Sequence, residues 1–509
     1  MTLGGIPDLG YGAEKKPKYG GIVRAGERYS GTGLDAHRNQ EMIDCQNYLL
    51  MYNALAIMGP LPQVRMYPDL AKSWEISKDG REYIFPLREG VNFHHGKELD
   101  SGDVKYSIER VMNPATRSPR AYTYRVIDSV QAIDKYHIKI KLKEPFGPFL
   151  TTLTITTCPI IPAGCEPSPT KPAPGTGPFV FKSFVPNETS ELTRFDKYWE
   201  FDEKTGDRLP YLDGILVKKI VDETIRWTAL RAGDMDYIQY PPQKIVLQEM
   251  KNPTPGVVVV LPNPVGNSLL YFNTSKPPFN NKKVRQAVAY AINKQEVVQA
   301  AFWGLGEEVN NQPFLNRSRM YIPVKDRGFD LAKAKQLLAE AGYPHGFKFE
   351  SLEYSYAGAL DPCQAVLGEL KRIGLEGSMQ VIDRAPYYVK MRKGEFSISV
   401  STDTERLDPD DAYYMRFHSS EIDRNNWSRY ANKELDPLLE KGRTTWNWED
   451  RVPIYQKVVE INMEDLPILY LAKQVIPVAY RDYLKGHEAG AGTWFGYYGG
   501  GMKKVWLDK

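Results

Sequence analysis

The segment Leu269 to Asn293, LLYFNTSKPPFNNKKVRQAVAYAIN, changes its hydrophobic period half-way along. Leu269, Leu270, Tyr271 and Phe272 form a short continuous apolar run that reads as a buried strand. Pro277 and Pro278 cannot donate to a strand ladder, so the strand must end before them. Beyond Phe279, Val284, Ala287, Val288, Ala291 and Ile292 recur at helical spacing and make one apolar stripe. Asn280 or Asn281 is placed to cap that helix, and Asn293, with Glu296 three residues on, to start the next. A buried strand, a rigid break and a new helix near mid-chain suit a crossing between two lobes. On pattern alone they suit a strand–loop–helix unit inside one domain equally well.

The wording of the segment is more specific than its period. YFNTSKPPFNNKKVRQAVAYAIN resembles the crossover segment of the family 5 extracellular solute-binding proteins, the oligopeptide- and dipeptide-binding receptors of ABC importers. A second block, YPDLAKSWEISKDGREYIFPLREGVNFHHGKELDSGDVKYSIERV from Tyr67 to Val111, resembles the same family over its full length. Further similarity runs from about Tyr19 to the C-terminus. The resemblance implies a mixed α/β chain with a two-lobed periplasmic-binding-protein fold (type II, cluster C-like) and an extra α+β subdomain. It implies no cofactor. The expected partners are a peptide or other small solute and the membrane permease subunits of an ABC transporter, and the expected state is a monomer.

The composition agrees with that class and excludes others. The chain has 509 residues, 42% of them hydrophobic, enough for roughly three domains of ordinary size. Its 66 basic and 63 acidic residues leave a formal charge of +3, without the basic excess of a nucleic-acid binder. No run of about 18 apolar residues is present to span a membrane. The first residues, MTLGGIPDLGYGAEKKPKYGG, carry no apolar signal core, which reads either as a cytoplasmic start or as a mature chain with a new Met1. The resemblance implies the second, outside the cytoplasmic membrane. There is no G-x-S-x-G elbow, H-E-x-x-H or Walker loop, so the rival class, an α/β hydrolase-type enzyme, has no motif in its favour.

The expected layout is a mobile arm at 1–17, a first lobe from 18–58, 175–270 and 478–509, an additional subdomain at 59–174, and a second lobe at 271–477. In the subdomain, Trp74 to Ile76 and Tyr83 to Phe85 read as a hairpin around Asp79-Gly80, and residues 130–133 with 137–142 as another. Ser101 is expected to cap a helix with Val104, Ile108 and Val111 inward. In the second lobe, strands at 347–354, 379–382 and 397–401 alternate with helices at 360–373 and around 387–392.

Four regions are candidates for the ligand site. The loop holding Tyr29, Thr32, Gly33 and Leu34 has glycines that permit close backbone approach, and the resemblance puts it at the cleft. So does it the GTGPF strand start, with Thr176 and Gly177. The third region is Thr402-Asp403-Thr404-Glu405-Arg406-Leu407-Asp408-Pro409-Asp410, just past a strand's carboxyl end. In peptide-binding relatives an acidic residue three positions before "DPD" clamps the ligand's ammonium group. That position is Glu405 here. Relatives usually carry Trp where this chain has Thr402. Asp403 and Arg406 crowd the same place, leaving the register open by one residue, and Arg406 is the alternative anchor, for a ligand carboxylate. The fourth region is aromatic: Trp427, and Trp494 with Phe495, either as platforms for a ligand face or as core. The ligand class stays open among peptide, oligosaccharide, small carboxylate or opine, and nickel complex.

His94-His95 is a poor chelate, because neighbours on a strand point to opposite faces. Of the four cysteines, Cys158 and Cys165 are close enough in sequence for a local disulfide in an oxidising compartment, while Cys45 and Cys363 read as core thiols.

Overall fold

The structure is a computed structural model. It describes residues 16–28, 33–39, 42–59, 65–154, 156–168, 170–403, 406–487 and 501–509. Of the expected arm at 1–17, residues 1–15 lie outside that set, and so do the expected site residues Tyr29, Thr32, Glu405, Trp494 and Phe495 and the side chain of Cys45.

The apolar run of the opening segment lies in the strand Val265–Phe272, inside a six-stranded sheet between Ile468–Gln474 and Ile398–Asp403. Burial on both faces explains why it reads as continuous rather than alternating. Leu269 and Tyr271 enter one core with Tyr413, Tyr455 and Tyr470. Leu270 and Phe272 enter another, with Phe279, Val284, Val288 and Ile292 from the helix stripe. Burying each such side chain stabilises the fold by roughly 1.5–3 kcal/mol. The strand stops where Asn273, fully buried, turns its amide onto the carbonyls of Gly394 and Phe396. Helix Lys282–Ala291 is capped by Asn281, and Asn293 caps Lys294–Phe302 while donating to Glu296.

A seven-stranded sheet runs in the order Val257–Val260, Val478–Arg481, Tyr237–Gln239, Ile22–Glu27, Gly214–Lys219, Thr189–Arg194 and Phe179–Val185. The six-stranded sheet has the order Gly306–Glu308, Ile468–Gln474, Val265–Phe272, Ile398–Asp403, Phe347–Tyr354 and Leu375–Ile382. The chain therefore leaves the first sheet across 261–264 and returns across 475–477. The boundary expected between 270 and 271 falls inside a strand that belongs whole to the second sheet. Pro262 and Pro264 mark the crossing.

The subdomain is a four-stranded sheet, Glu75–Ile76, Glu82–Pro86, His137–Leu142 and Ile127–Asp134, under helix Ser101–Met112. Val104, Ile108 and Val111 are buried as the stripe requires. The cap is Asp100, one residue before the expected Ser101. Asp100 and Asp103 each accept from the other's backbone N–H, while the Ser101 hydroxyl donates to the Asp134 carbonyl.

The bridge expected between Cys158 and Cys165 is absent, and both are free thiols. Cys158 packs in the subdomain core, where burial pushes its thiol up to about 12. Cys165 sits half-buried on a turn, its N–H donating to the Pro162 carbonyl.

Candidate ligand-binding site

Both crossings leave the first sheet at one end. Ile22 pairs with Gly214 and Glu27 with Lys219, while Gly26 pairs with Ile238. Gln239 pairs with Val478, which pairs with Val260. The second sheet thus lies off the carboxyl end of Ile22–Glu27. There the Arg28 guanidinium sits over the ring of Tyr356, 5.8 Å from its centre. Tyr356 follows the Phe347–Tyr354 strand, which runs parallel to Leu375–Ile382 and to Ile398–Asp403. The carboxyl ends of the central strands of both sheets border one crevice, the position at which open α/β sheets bind ligands.

On the second-sheet side the crevice carries a charge network. Asp403 accepts from Arg406 at 2.6 and 3.0 Å, in the two-pronged geometry that suits guanidinium to carboxylate. It also pairs with Arg416. Arg406 reaches Asp411 at 3.1 Å, and Arg416 donates to the Tyr271 hydroxyl at 3.3 Å. Two arginines and two aspartates balance. Thr402 meets the Tyr354 hydroxyl at 3.1 Å. Tyr354 and Tyr356 stack with ring centres 5.7 Å apart, and Tyr354 packs on Tyr387. Trp427 continues the aromatic row, 5.3 Å from Tyr271 and 5.7 Å from Tyr388, with its indole N–H on the Arg424 carbonyl. It is half-buried, and one edge is already used for packing.

The subdomain closes the other side. The Gly147 N–H donates to the Arg443 carbonyl at 2.8 Å, and a side chain at Gly147 would lie 2.6 Å from the Thr445 carbonyl. Gly80, with φ +70°, packs against Trp446.

Thr176 and Gly177 lie elsewhere. Thr176 is fully buried, its hydroxyl on Asn53, and a Cβ on Gly175 or Gly177 would strike the backbone around Met51. The strand they precede begins at Phe179, aligned with the Ile22 end of the sheet and away from the crevice. Those glycines serve backbone-on-backbone packing. His94 braces them: its Nδ1 accepts from the Gly175 N–H, so Nε2 carries the proton and donates to the Gly177 carbonyl at 3.0 Å. Burial lowers this imidazole to about 4, which keeps it neutral. Among the described residues no group of three His, Cys, Asp or Glu side chains is placed to hold a metal ion. Leu34 is buried, and the Gly33 carbonyl accepts from the Tyr48 hydroxyl. Sequence reasoning missed Arg28, Asp411 and Arg416. The signal for the last two was faint: they lie on the helix Pro409–Phe417 that the DPD motif opens.

The family described as bacterial extracellular solute-binding proteins, family 5 Middle, matches residues 65–424. The chain belongs to that family. Heme-binding protein A of Haemophilus influenzae is 29% identical over 464 residues, 85% of this chain and 83% of the relative. The dipeptide-binding protein of Escherichia coli is 25% identical over 470 residues, 86% of each chain. Among solved structures, the periplasmic binding protein DppA of Helicobacter pylori, in complex with the peptide STSA, superposes with a TM-score of 0.78 at 27% identity, covering 97% of this chain and 99% of that one. This family 5 receptor therefore has the two-lobed periplasmic-binding-protein fold. It is an extracytoplasmic solute-binding receptor of an ABC importer and not an enzyme. No described helix is long and apolar enough to cross a membrane.

Proposed function

We propose that this receptor captures a short peptide or peptide-like molecule in the crevice and holds its ammonium group on Glu405. One observation carries the reading. Asp403 and Arg406 are bound to each other, and to Arg416 and Asp411, so neither offers an uncompensated charge. The remaining charged residue of 402–406 in the sequence is Glu405, the position to which the family motif assigns the clamp. The same pairing argues against Arg406 as the anchor of an acidic ligand, because engaging one would first break a two-pronged salt bridge. The dipeptide- and peptide-binding relatives support the ligand class.

Native mass spectrometry of the purified protein would identify a co-purified ligand. Calorimetric titration with an alanyl dipeptide and its N-acetyl form then tests the anchor. Glu405→Gln is expected to weaken the free-amine dipeptide by about 2–5 kcal/mol and to leave the acetylated form nearly unchanged. If Arg406→Gln weakens binding and Glu405→Gln does not, the anchor is the arginine and the ligand an acid.

We further infer that the two sheets, with their covering helices, move as bodies about 261–264 and 475–477, the subdomain travelling with the first. The receptor acts as a monomer in this reading. X-ray scattering should show a smaller radius of gyration with bound ligand than without. Equal radii with a saturating ligand would rule out closure.

A further inference from the structure

Strands Phe347–Tyr354 and Ile398–Asp403 run side by side, yet their ladder is confined to Ser351 opposite Ile398. Beyond that point the gap is filled by a side chain. Glu353, fully buried, accepts at Oε1 from the Ser351 hydroxyl at 2.6 Å and from the Val400 N–H at 2.9 Å. Its Oε2 has no hydrogen-bond partner. A strand N–H that would ordinarily meet a backbone carbonyl thus meets a carboxyl on the neighbouring strand. One residue after Glu353 comes Tyr354, and two after Val400 comes Thr402, the pair that meets on the second-sheet wall of the crevice.

We propose that Glu353 is the positioning residue of the ligand crevice: its carboxyl is a wedge that parts these two strands at their carboxyl ends and sets where Thr402 and Asp403 stand. That the strands border the ligand rests on the reading given above; the wedge does not. A carboxyl with two donors on one oxygen and none on the other is poised between forms. Ionised, it is a better acceptor for Val400 but leaves Oε2 charged and dry; protonated at Oε2, it keeps both bonds at Oε1.

Burial pushes this carboxyl up to about 7, against the pull of the Ser351 hydroxyl, the Val400 N–H and the Cys363 thiol. Its titratable neighbours are the Cys363 thiol on helix Ala357–Lys371 and the Tyr387 hydroxyl on helix Arg384–Lys393. Burial holds both above neutrality, so neither changes charge in the same range. A carboxyl whose pKa is raised in place gives up its proton when the strands open into water. Opening is therefore favoured as pH rises from the ordinary carboxylate range to about 7, and levels off above.

Hydrogen exchange followed by mass spectrometry, corrected for intrinsic rates, reads this on peptides within 396–403. In the wild-type chain the opening constant should rise by up to about tenfold per pH unit between pH 5 and 7, then flatten by pH 8. Glu353→Gln, which keeps the shape, should show no such slope. Glu353→Leu, with no acceptor for Val400, should exchange at least about tenfold faster at every pH. An equal pH slope in wild type and Glu353→Gln would overturn the proposal, and so would a slope confined to other strands. The glutamine arm stands if the leucine variant does not fold. A ligand later found outside the crevice would remove the role of Thr402 and Asp403 in contact but leave the exchange result intact.

Discussion

Replacing Arg451 by leucine should remove about 3–5 kcal/mol of stability, read as a lower urea midpoint with an unchanged slope. Arg451 and Asp408 are each almost wholly buried and joined by two bonds, at 2.5 and 2.7 Å. The guanidinium also donates to the Gly442 carbonyl and the Tyr455 hydroxyl. Without it, Asp408 would keep only the Asp410 N–H that it caps at the start of Pro409–Phe417. A carboxylate left in that state is the costly outcome, more so than loss of the pair as a whole. The double variant Asp408→Leu/Arg451→Leu should therefore lose less than the sum of the single changes. A companion pair, Arg443 on Asp410, ties the same helix start to Leu435–Thr444. Because the Arg443 carbonyl receives the Gly147 N–H of the subdomain, these pairs also set the surface on which the subdomain rests. A change within 0.5 kcal/mol for Arg451→Leu, as for an ordinary surface position, would show that water reaches the pair.

Much of this architecture is written in local pattern. The stripe of Lys282–Ala291, the caps at Asn281 and Asn293, and strand Phe347–Tyr354 follow from period and end signals read within a dozen residues. What period cannot supply is the partner. Nothing in Leu269 to Phe272 says that Ile398–Asp403 and Ile468–Gln474 flank it, so a lobe boundary expected between 270 and 271 cuts a strand that its partners hold whole in one sheet. The GTG motif, which the resemblance puts at the cleft, lies away from it for a physical reason. A missing Cβ admits a ligand or another backbone equally well, and here the Met51 backbone takes the space. Thr402, Asp403 and Arg406 were found because they follow a strand's carboxyl end. Their engagement with one another was not legible, since Arg416 and Asp411 return to Asp403 and Arg406 only once Pro409–Phe417 is folded.

Asp403→Asn should cost about 3–5 kcal/mol, far more than any other single change in the network. Asp403 serves two arginines, and Arg416 is only 5% exposed. Amidation leaves Arg416 with two neutral acceptors, the Tyr271 hydroxyl and the Ala412 carbonyl, in a place where water cannot compensate. Arg406 is more accessible, with 18% of its side chain exposed, and keeps Asp411. Arg406→Gln should accordingly cost about 1.5–3 kcal/mol, the worth of charged hydrogen bonds. Asp411, at 36% side-chain exposure, should cost less than about 1 kcal/mol when changed to Asn. Chemical denaturation of the three variants gives the order directly. A cycle between Asp403→Asn and Arg416→Met isolates the buried pair, whose coupling should exceed that of Asp403 with Arg406. If Asp403→Asn proves harmless while Glu405→Gln destabilises, the two carboxylates have exchanged parts: the fold rests on Glu405, and the ligand's ammonium belongs on Asp403. The choice between Asp403 and Glu405 is thereby made by stability alone, before any ligand is known.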